Sequence, residues 1–365
     1  MGTQAAYSDK KIQQLQLWDT SIAQVVFMIS FTIIYVLTLS GNLIIILICR
    51  FERTLHTPMY FFLSHLAALE MCYISVTLPK MLHGSVTGNS TISFVACLTQ
   101  LYFFGSLGST ECFLLAIMAY DRFVAICKPL RYHNVMTTKL CTVLVSSCWS
   151  SGFISTMSSI LFISTLQFCG PNNIQHFFCD ITPLLKLSCT NVHQTETLIF
   201  LLASVILVGS CLVTLFSYFR ILTTVLAITS GNGRRKASST FASHLTVVTI
   251  YYSTMIFVYV RPTTSGASSF NKILSVLYTI LTPLLNPFIY TLRNNEAQLA
   301  LRRTLGLGNL THIPYLDTPI YPSNPSSLIK FAVLDLSNDL FTPRPAMMTK
   351  GYPLNLEEKR FNQNH

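Results

Sequence analysis

The chain has 365 residues, 51% of them hydrophobic and only 10% charged, with a formal net charge of +10. A water-soluble domain carries about 25% charged residues, so this composition leaves too little polar surface for water and makes a bilayer the natural solvent. The positive charge does not indicate nucleic-acid binding, because Lys and Arg fall in short clusters between long apolar runs, as they do in membrane loops.

The first apolar run extends from about Ala23 to Cys49. It is too long for a signal-peptide core and has no small-residue cleavage site, so it reads as an uncleaved membrane helix. Met1-Gly2 opens like a myristoylation signal, but Ala6 stands where Ser or Thr is required, which discards that reading. At about 20 apolar residues per crossing, candidate helices fall at 24–49, 58–83, 97–127, 139–164, 196–223, 237–260 and 271–292. Loop residues separate them: Arg53 and His56, Gly84 to Asn89, Lys128 to Thr138, Leu166 to Thr195, Ser230 to Lys236, and Pro262 to Ser269.

The fold expected is an all-α membrane protein, a bundle of seven transmembrane helices. It divides into an outer segment 1–23, a membrane domain 24–292, a short amphipathic helix 293–305 and a tail 306–365. The tail has seven prolines and no helical period, and reads as mostly disordered. No internal repeat stands out, which weakens a transporter built on inverted repeats.

Orientation follows from the basic residues. One set of loops holds Arg50, Arg53, Lys128, Arg131, Lys139, Arg234, Arg235, Lys236, Arg293, Arg302 and Arg303. The opposite set holds Lys10, Lys11, Lys186, Arg261 and Lys272. Eleven against five makes the first set cytoplasmic, with the N-terminus outside and the C-terminus inside. The sequon Asn89-Ser90-Thr91 then lies outside, where glycosylation occurs, whereas Asn309-Leu310-Thr311 lies inside and is silent. Of the eleven cysteines, Cys97, Cys169, Cys179 and Cys189 lie on the outer, oxidising side. An even set there implies two disulfides, with three pairings open to the sequence alone.

Ionisable groups at membrane depth are functional candidates. Glu70 and Glu111 are acids inside candidate helices, and Asn42 and Asn286 are amides at matching depth. The four can hold a cation, sodium being the best fit for oxygen ligands. Alternatively the acids are protonated and hydrogen-bonded, since burial disfavours the charged carboxylate. Asp121-Arg122 closes the third helix at the inner boundary, either as an anchor with a snorkelling Arg or as a switch that releases Arg122 to a partner. Pro287 interrupts the seventh helix between Asn286 and Tyr290, freeing a carbonyl. Tyr218 sits near the inner end of the fifth.

Several runs together carry a family resemblance. Leu55-His56-Thr57-Pro58-Met59-Tyr60-Phe61-Phe62-Leu63 follows the first inner loop, and Met118-Ala119-Tyr120-Asp121-Arg122-Phe123-Val124-Ala125-Ile126-Cys127 ends the third helix. Ser217-Tyr218 closes the fifth, and Lys236-Ala237-Ser238-Ser239-Thr240-Phe241-Ala242-Ser243-His244-Leu245 opens the sixth. Pro283-Leu284-Leu285-Asn286-Pro287-Phe288-Ile289-Tyr290 ends the seventh. Over about 24–303 the chain resembles the olfactory receptors of class II, within the rhodopsin-like G-protein-coupled receptors. The resemblance implies the rhodopsin-like fold, disulfides Cys97–Cys179 and Cys169–Cys189, and coupling to the olfactory stimulatory G protein, which raises cyclic AMP. It implies residence in the plasma membrane, among lipids, in the cilia of olfactory neurons. Family members usually carry a sequon near the N-terminus followed by a Phe-Ile-Leu-Leu-Gly-Phe-like stretch. Residues 1–22 contain no Asn at all, Phe241 replaces a usual Cys, and the tail is atypical.

Ligands of such bundles bind among the helices on the outer half. The third helix offers Phe104, Gly105, Gly108, Ser109 and Cys112 on one face, the two glycines leaving volume. The fifth offers Leu202 and Ile206, the sixth Tyr252, Met255, Ile256 and Tyr259, and the seventh Thr279. The lining is apolar with a few hydroxyls and no evident charge, which suits a small neutral volatile molecule and not an amine. His176-Phe177-Phe178-Cys179-Asp180 could bind a soft metal, but a disulfide at Cys179 would remove its thiolate. No phosphate loop, zinc spacing or catalytic constellation is present, so the chain reads as a non-enzyme without an organic cofactor. Its partners are an odorant and a heterotrimeric G protein, docked at a groove that opens when the inner end of the sixth helix, with Lys236 and His244, moves away from Arg122. The rival classes are a receptor for a non-odorant ligand outside the nose and a channel or transporter, which would need a charged pathway that Glu70 and Glu111 alone do not make.

Overall fold

Helix ends in this chain are set by local chemistry that hydropathy does not see. In the computed structural model, residues 11–14, 21–169, 173–174, 176–227, 245–256, 279–287, 289 and 298–299 are described, all within the unit Met1–Leu310. In chain order these form β1 (Lys11–Gln14), α1 (Ser21–Phe51), α2 (Pro58–Thr87), β2 (Thr91–Ser93), α3 (Phe94–Cys127), α4 (Thr138–Ser164), β3 (Asn173–Ile174) and α5 (His193–Ala227). They continue with α6 (Leu245–Ile256) and α7 (279–287). Pro58 starts α2 where its missing N–H costs nothing. The left-handed Gly88, at φ 66°, stops it. Ser93 and Thr137 cap α3 and α4 by accepting from Ala96 N–H and Leu140 N–H. These signals carry α2 past residue 83, and α5 runs beyond 196–223 at both ends.

Helices α1 to α5 are each long and apolar enough to cross a membrane. Residues 237–244 and 257–260 of the sixth expected helix and 271–278 of the seventh lie outside the described residues. So do Tyr290, most of the expected amphipathic helix and the tail 306–365. α3 is the axis of the bundle: 67% of its most apolar stretch is buried, against 22% for α1, α4 and α5.

In an apolar medium every backbone polar group needs an internal partner. Serines and threonines that cannot find one elsewhere bond back along their own helix, as Ser30 does to Val26 O, Thr110 to Ser106 O and Thr254 to Ile250 O. The same economy operates between helices. Pro287 cannot donate to the carbonyl of Pro283, and that carbonyl accepts instead from Asn42 Nδ2 at 3.1 Å, tying α1 to α7. Pro287 also packs so closely on Gly41 that a Cβ there would lie 3.2 Å from the proline ring.

The disulfide-bearing end has a different construction. The small sheet has strand order β2-β1-β3, with β1 antiparallel to β2 (Ile12 opposite Ile92) and parallel to β3 (Gln13 opposite Asn173). The sequence reading contained no strands, because elements of two to four residues are too short to display a period of two. Cys97 is bonded to Cys179 and Cys169 to Cys189, with Cα atoms 5.5 and 5.8 Å apart.

α3 and α4 meet where Gly152 faces Thr110. A Cβ on Gly152 would lie 2.2 Å from Thr110 Oγ1, 2.8 Å from Ser106 O and 2.9 Å from Thr110 N. Gly152→Ala therefore forces the helices apart, and a loss of about 1–3 kcal/mol is expected from overpacking. In detergent the melting temperature should fall, and Thr110→Ala in the same chain should restore part of it, since the two backbone atoms remain in the way. No loss on Gly152→Ala would refute this account of the packing.

Candidate functional site

A cavity of about 570 Å³ opens among α3, α4 and α5 beneath the disulfide-bearing end. Phe104, Gly105, Gly108, Ser109 and Cys112 of α3, Leu202 and Ile206 of α5 and Met255 of α6 all line it, with Tyr73 from α2. The two glycines act differently: a Cβ at Gly108 would make only ordinary contacts, 3.9 Å from Met255 Cε and 4.0 Å from Tyr73 Cε2, whereas one at Gly105 would lie 2.9 Å from Thr156 Cγ2, so Gly105 admits α4. Phe104 anchors one wall, its ring 5.0 Å from Tyr73 and 4.8 Å from Phe178.

Three other expected lining residues are placed elsewhere. Tyr252 is buried with its hydroxyl on Cys112 O at 3.4 Å, and Ile256 is 44% exposed. Thr279 is buried on α7 and is not among the described lining residues. Tyr259 lies outside the described residues. Tyr251, the neighbour of Tyr252, also reaches α3, donating to Gly108 O at 2.9 Å and meeting Cys112 Sγ at 3.3 Å. The spacing i, i+3, i+4 fits a face through Tyr251 and Met255 as well as one through Tyr252 and Met255, so periodicity could not choose between adjacent tyrosines.

Two parts of the lining were missed. Ser155, Thr156 and Ser159 of α4 border the cavity, although α4 scatters hydroxyls on every side and offers no one-face signal. His193 and Glu196, in the first turn of α5, also line it. The expectation of a charge-free lining is corrected at this mouth, because α5 begins three residues earlier than hydropathy placed it. Both side chains are exposed.

The opposite end of α3 carries the expected switch residues. Asp121 is buried, and its carboxylate accepts from the Tyr132 hydroxyl at 2.9 Å and pairs with Arg122 at 3.5 Å. Tyr132 lies in the short helix Tyr132–Val135 between α3 and α4. Burial, then the adjacent Asp121 carboxylate, pushes its phenol above the ordinary value, so it remains a donor throughout the neutral range. Tyr218 is buried in the same core, whereas His244 and Tyr290 lie outside the described residues. Cys127 Sγ meets Thr224 Oγ1 at 3.1 Å, joining α3 to α5 at this end.

Of the four candidate cation ligands, Asn286 donates to Glu70 Oε1, and Asn42 is committed to Thr38 O and Pro283 O. Glu70 Oε2 and Glu111 Oε1 are buried without hydrogen-bond partners among the described residues. Among the described residues no group of three or more His, Cys, Asp or Glu side chains could hold a metal ion. His176 is packed edge-on against Phe178 with ring centres 4.5 Å apart, and Cys179 is oxidised, so that motif is structural.

The olfactory receptor family model matches residues 31–306. The chain is similar to Olfactory receptor 6B9 of Mus musculus, 52% identical over 285 residues that make up 78% of this chain and 90% of that protein. It is similar to Olfactory receptor 6B2 of Homo sapiens, 50% identical over 289 residues, 79% of this chain and 93% of that protein. It also matches Olfactory receptor 226 of Rattus norvegicus, 51% identical over 277 residues, 75% and 85% of the two chains.

Because a Cβ at Gly108 would make only ordinary contacts with Met255 and Tyr73, Gly108→Ala should leave folding and response unchanged, while Gly108→Leu should fill the cavity. An agonist of the unaltered chain is then expected to need at least about tenfold more concentration, at equal surface amount. An unchanged dose response for Gly108→Leu would remove this cavity from consideration.

Proposed function

The chain belongs to the olfactory receptor family, and from that premise we propose how it works: it binds small neutral volatile molecules in the cavity beside α3 and activates a stimulatory G protein that raises cyclic AMP. It is an odorant receptor and not an enzyme. The reading takes the bundle as seven spans in the plasma membrane, disulfides outside and Asp121-Arg122 inside, with olfactory cilia as the site of action. The observation that carries it is the placement of two features on one helix. α3 lines a cavity of odorant size at one end and holds the Asp121–Arg122–Tyr132 cluster at the other.

Ligand and G protein then select the same conformation. A ligand that packs against Met255 acts on α6, whose Tyr251 hydroxyl grips Gly108 O. A shift of α6 changes its grip on α3 and frees Arg122 to meet the G protein. Asn89 is exposed beside the outer sheet, its side chain accepting from Thr91 N and Thr91 Oγ1, which supports its use as the glycan acceptor. Arg122→Ala should cut the agonist-evoked cyclic AMP rise by at least about tenfold at equal surface amount. Tyr132→Phe removes one hydrogen bond from the resting cluster and should raise basal cyclic AMP by about two- to fivefold. An intact response in Arg122→Ala would overturn the mechanism.

The pair Glu70 and Glu111 fits a sodium ion. Each offers a buried oxygen without a hydrogen-bond partner among the described residues. Two such acids need a proton or a cation between them. A bound cation would hold α2 to α3 and favour the resting state. Replacing sodium by N-methylglucamine should therefore raise basal cyclic AMP in the unaltered receptor and not in Glu111→Gln. Equal basal signalling in both salts would leave a shared proton as the account of the pair.

A further inference from the structure

The four residues of β1 precede the first membrane helix, line no part of the cavity and carry no family motif, yet they are built into its roof. β1 is the middle strand of the outer sheet, so both of its edges are occupied. Its side chains alternate: Lys11 and Gln13 are exposed, whereas Ile12 and Gln14 are buried. Gln14 N–H donates to Ser90 O at 3.1 Å, and Ser90 Oγ returns a bond to Gln14 O at 2.7 Å.

One buried side chain shares a cluster with the cavity lining, and the other joins the network around Gln100, the residue before the lining residue Leu101. Ile12 is wholly buried in a cluster with Cys97, Leu101, Ile163, Leu185 and Ile199. Of that cluster Leu101, Ile163, Leu185 and Ile199 also line the cavity, so Ile12 belongs to the same packed cluster as four residues that border it. Gln14 Nε2 reaches Gln100 Oε1 at 3.4 Å, an oxygen that also accepts from Cys179 N–H at 3.0 Å. Gln100 Nε2 in turn donates to Val76 O of α2 at 3.0 Å. One buried amide thus joins the amino-terminal strand, the disulfide-held loop and two membrane helices.

We propose that Ile12 and Gln14 are positioning residues for ligand binding, holding the Leu101–Ile163–Leu185–Ile199 wall in the shape the ligand meets without touching the ligand themselves. This rests on reading the cavity as the odorant site. Truncating Ile12 opens space behind the wall, and packed side chains relax partly into such space. The wall then recedes from the ligand, contacts are lost, and the ligand leaves faster. Truncating Gln14 leaves Gln100 with one fewer donor and loosens the roof over the same wall.

The test uses the purified full-length receptor in nanodiscs with two independent readouts. Saturable fluorescence of 1-aminoanthracene, a small neutral aromatic probe, reports the cavity. Hydrogen exchange at the amides of 91–93 and 173–174 reports docking of β1. Ile12→Ala and Gln14→Ala should each weaken probe binding about tenfold and speed exchange in both strands, while Ile12→Val and the outward-facing Gln13→Ala should behave like the unaltered chain. If the two Ala variants lower only the yield of folded receptor and leave the probe affinity of the folded fraction unchanged, the proposal is overturned. Unprotected amides at 91–93 and 173–174 in the unaltered receptor overturn it as well. If exchange behaves as expected but the probe does not bind the unaltered receptor, it is the odorant reading of the cavity that fails, and the positioning role falls with it.

Discussion

A carbonyl freed inside hydrocarbon has no water to turn to, and most of the polar design of this bundle answers that constraint. Pro287 makes the problem by removing a donor from α7, and Asn42 solves it from α1 by giving its amide to the carbonyl of Pro283. One residue before that proline, Asn286 reaches α2 at Glu70. Three helices are therefore fastened to one another by two buried side-chain amides. Fastening of this kind is geometric as much as energetic: it fixes which turn of α7 faces α1 and which faces α2.

α3 is the helix that reaches from the cavity to the Asp121–Arg122–Tyr132 cluster. The half toward the disulfides has glycine at 105 and 108, the first admitting α4 and the second bordering the cavity, and the other half has none, closing with Asp121 and Arg122 in buried surroundings. Tyr251 bridges the halves of that contrast. Its hydroxyl takes the carbonyl of Gly108, a group exposed to an approaching partner because glycine has no side chain over it. The residue that opens the cavity is thus also the one by which α6 grips α3. A ligand pressing on this region competes with packing that the bundle needs, which is a physical route from occupancy to helix movement.

The lengths and apolar character of α1 to α5 were legible in the sequence, since about 20 residues of hydrocarbon-facing helix leave little ambiguity. The α3 side of the cavity was legible because Phe104, Gly105, Gly108, Ser109 and Cys112 repeat at helical spacing and include two glycines. The α4 side was not. Ser155, Thr156 and Ser159 lie among other hydroxyls on that helix, and in lipid a serine can satisfy itself on its own backbone, so a hydroxyl there is no pointer to a site. On α6 the expected Met255 lines the cavity, whereas Tyr252 and its neighbour Tyr251 are both spent on α3 carbonyls. At the mouth of the cavity, Glu196 was taken for the edge of a span when it belongs to a helix that begins at His193. Phase and ends are decided by neighbours and caps, which one-dimensional periodicity does not contain.

The disulfide-bearing end obeys a different rule from the membrane-length helices. Loops there are wetted, so burial alone cannot order them, and the chain uses covalent and ladder bonds instead. A disulfide contributes about 2–4 kcal/mol by restricting the unfolded chain, but a link at Cys97–Cys179 fixes only one point of a long loop. Three short strands supply the directions that one point cannot. Because β1 pairs with β2 on one side and β3 on the other, neither loop can shift along it without breaking a ladder, and a strand with both edges occupied leaves none open to a foreign strand. The roof thereby has a fixed shape before any ligand arrives. A preformed roof reduces the ordering that binding must impose, and it concentrates movement where the fold has to move: at α6, whose contact with α3 rests on Tyr251 and Tyr252 and on no covalent link among the described residues.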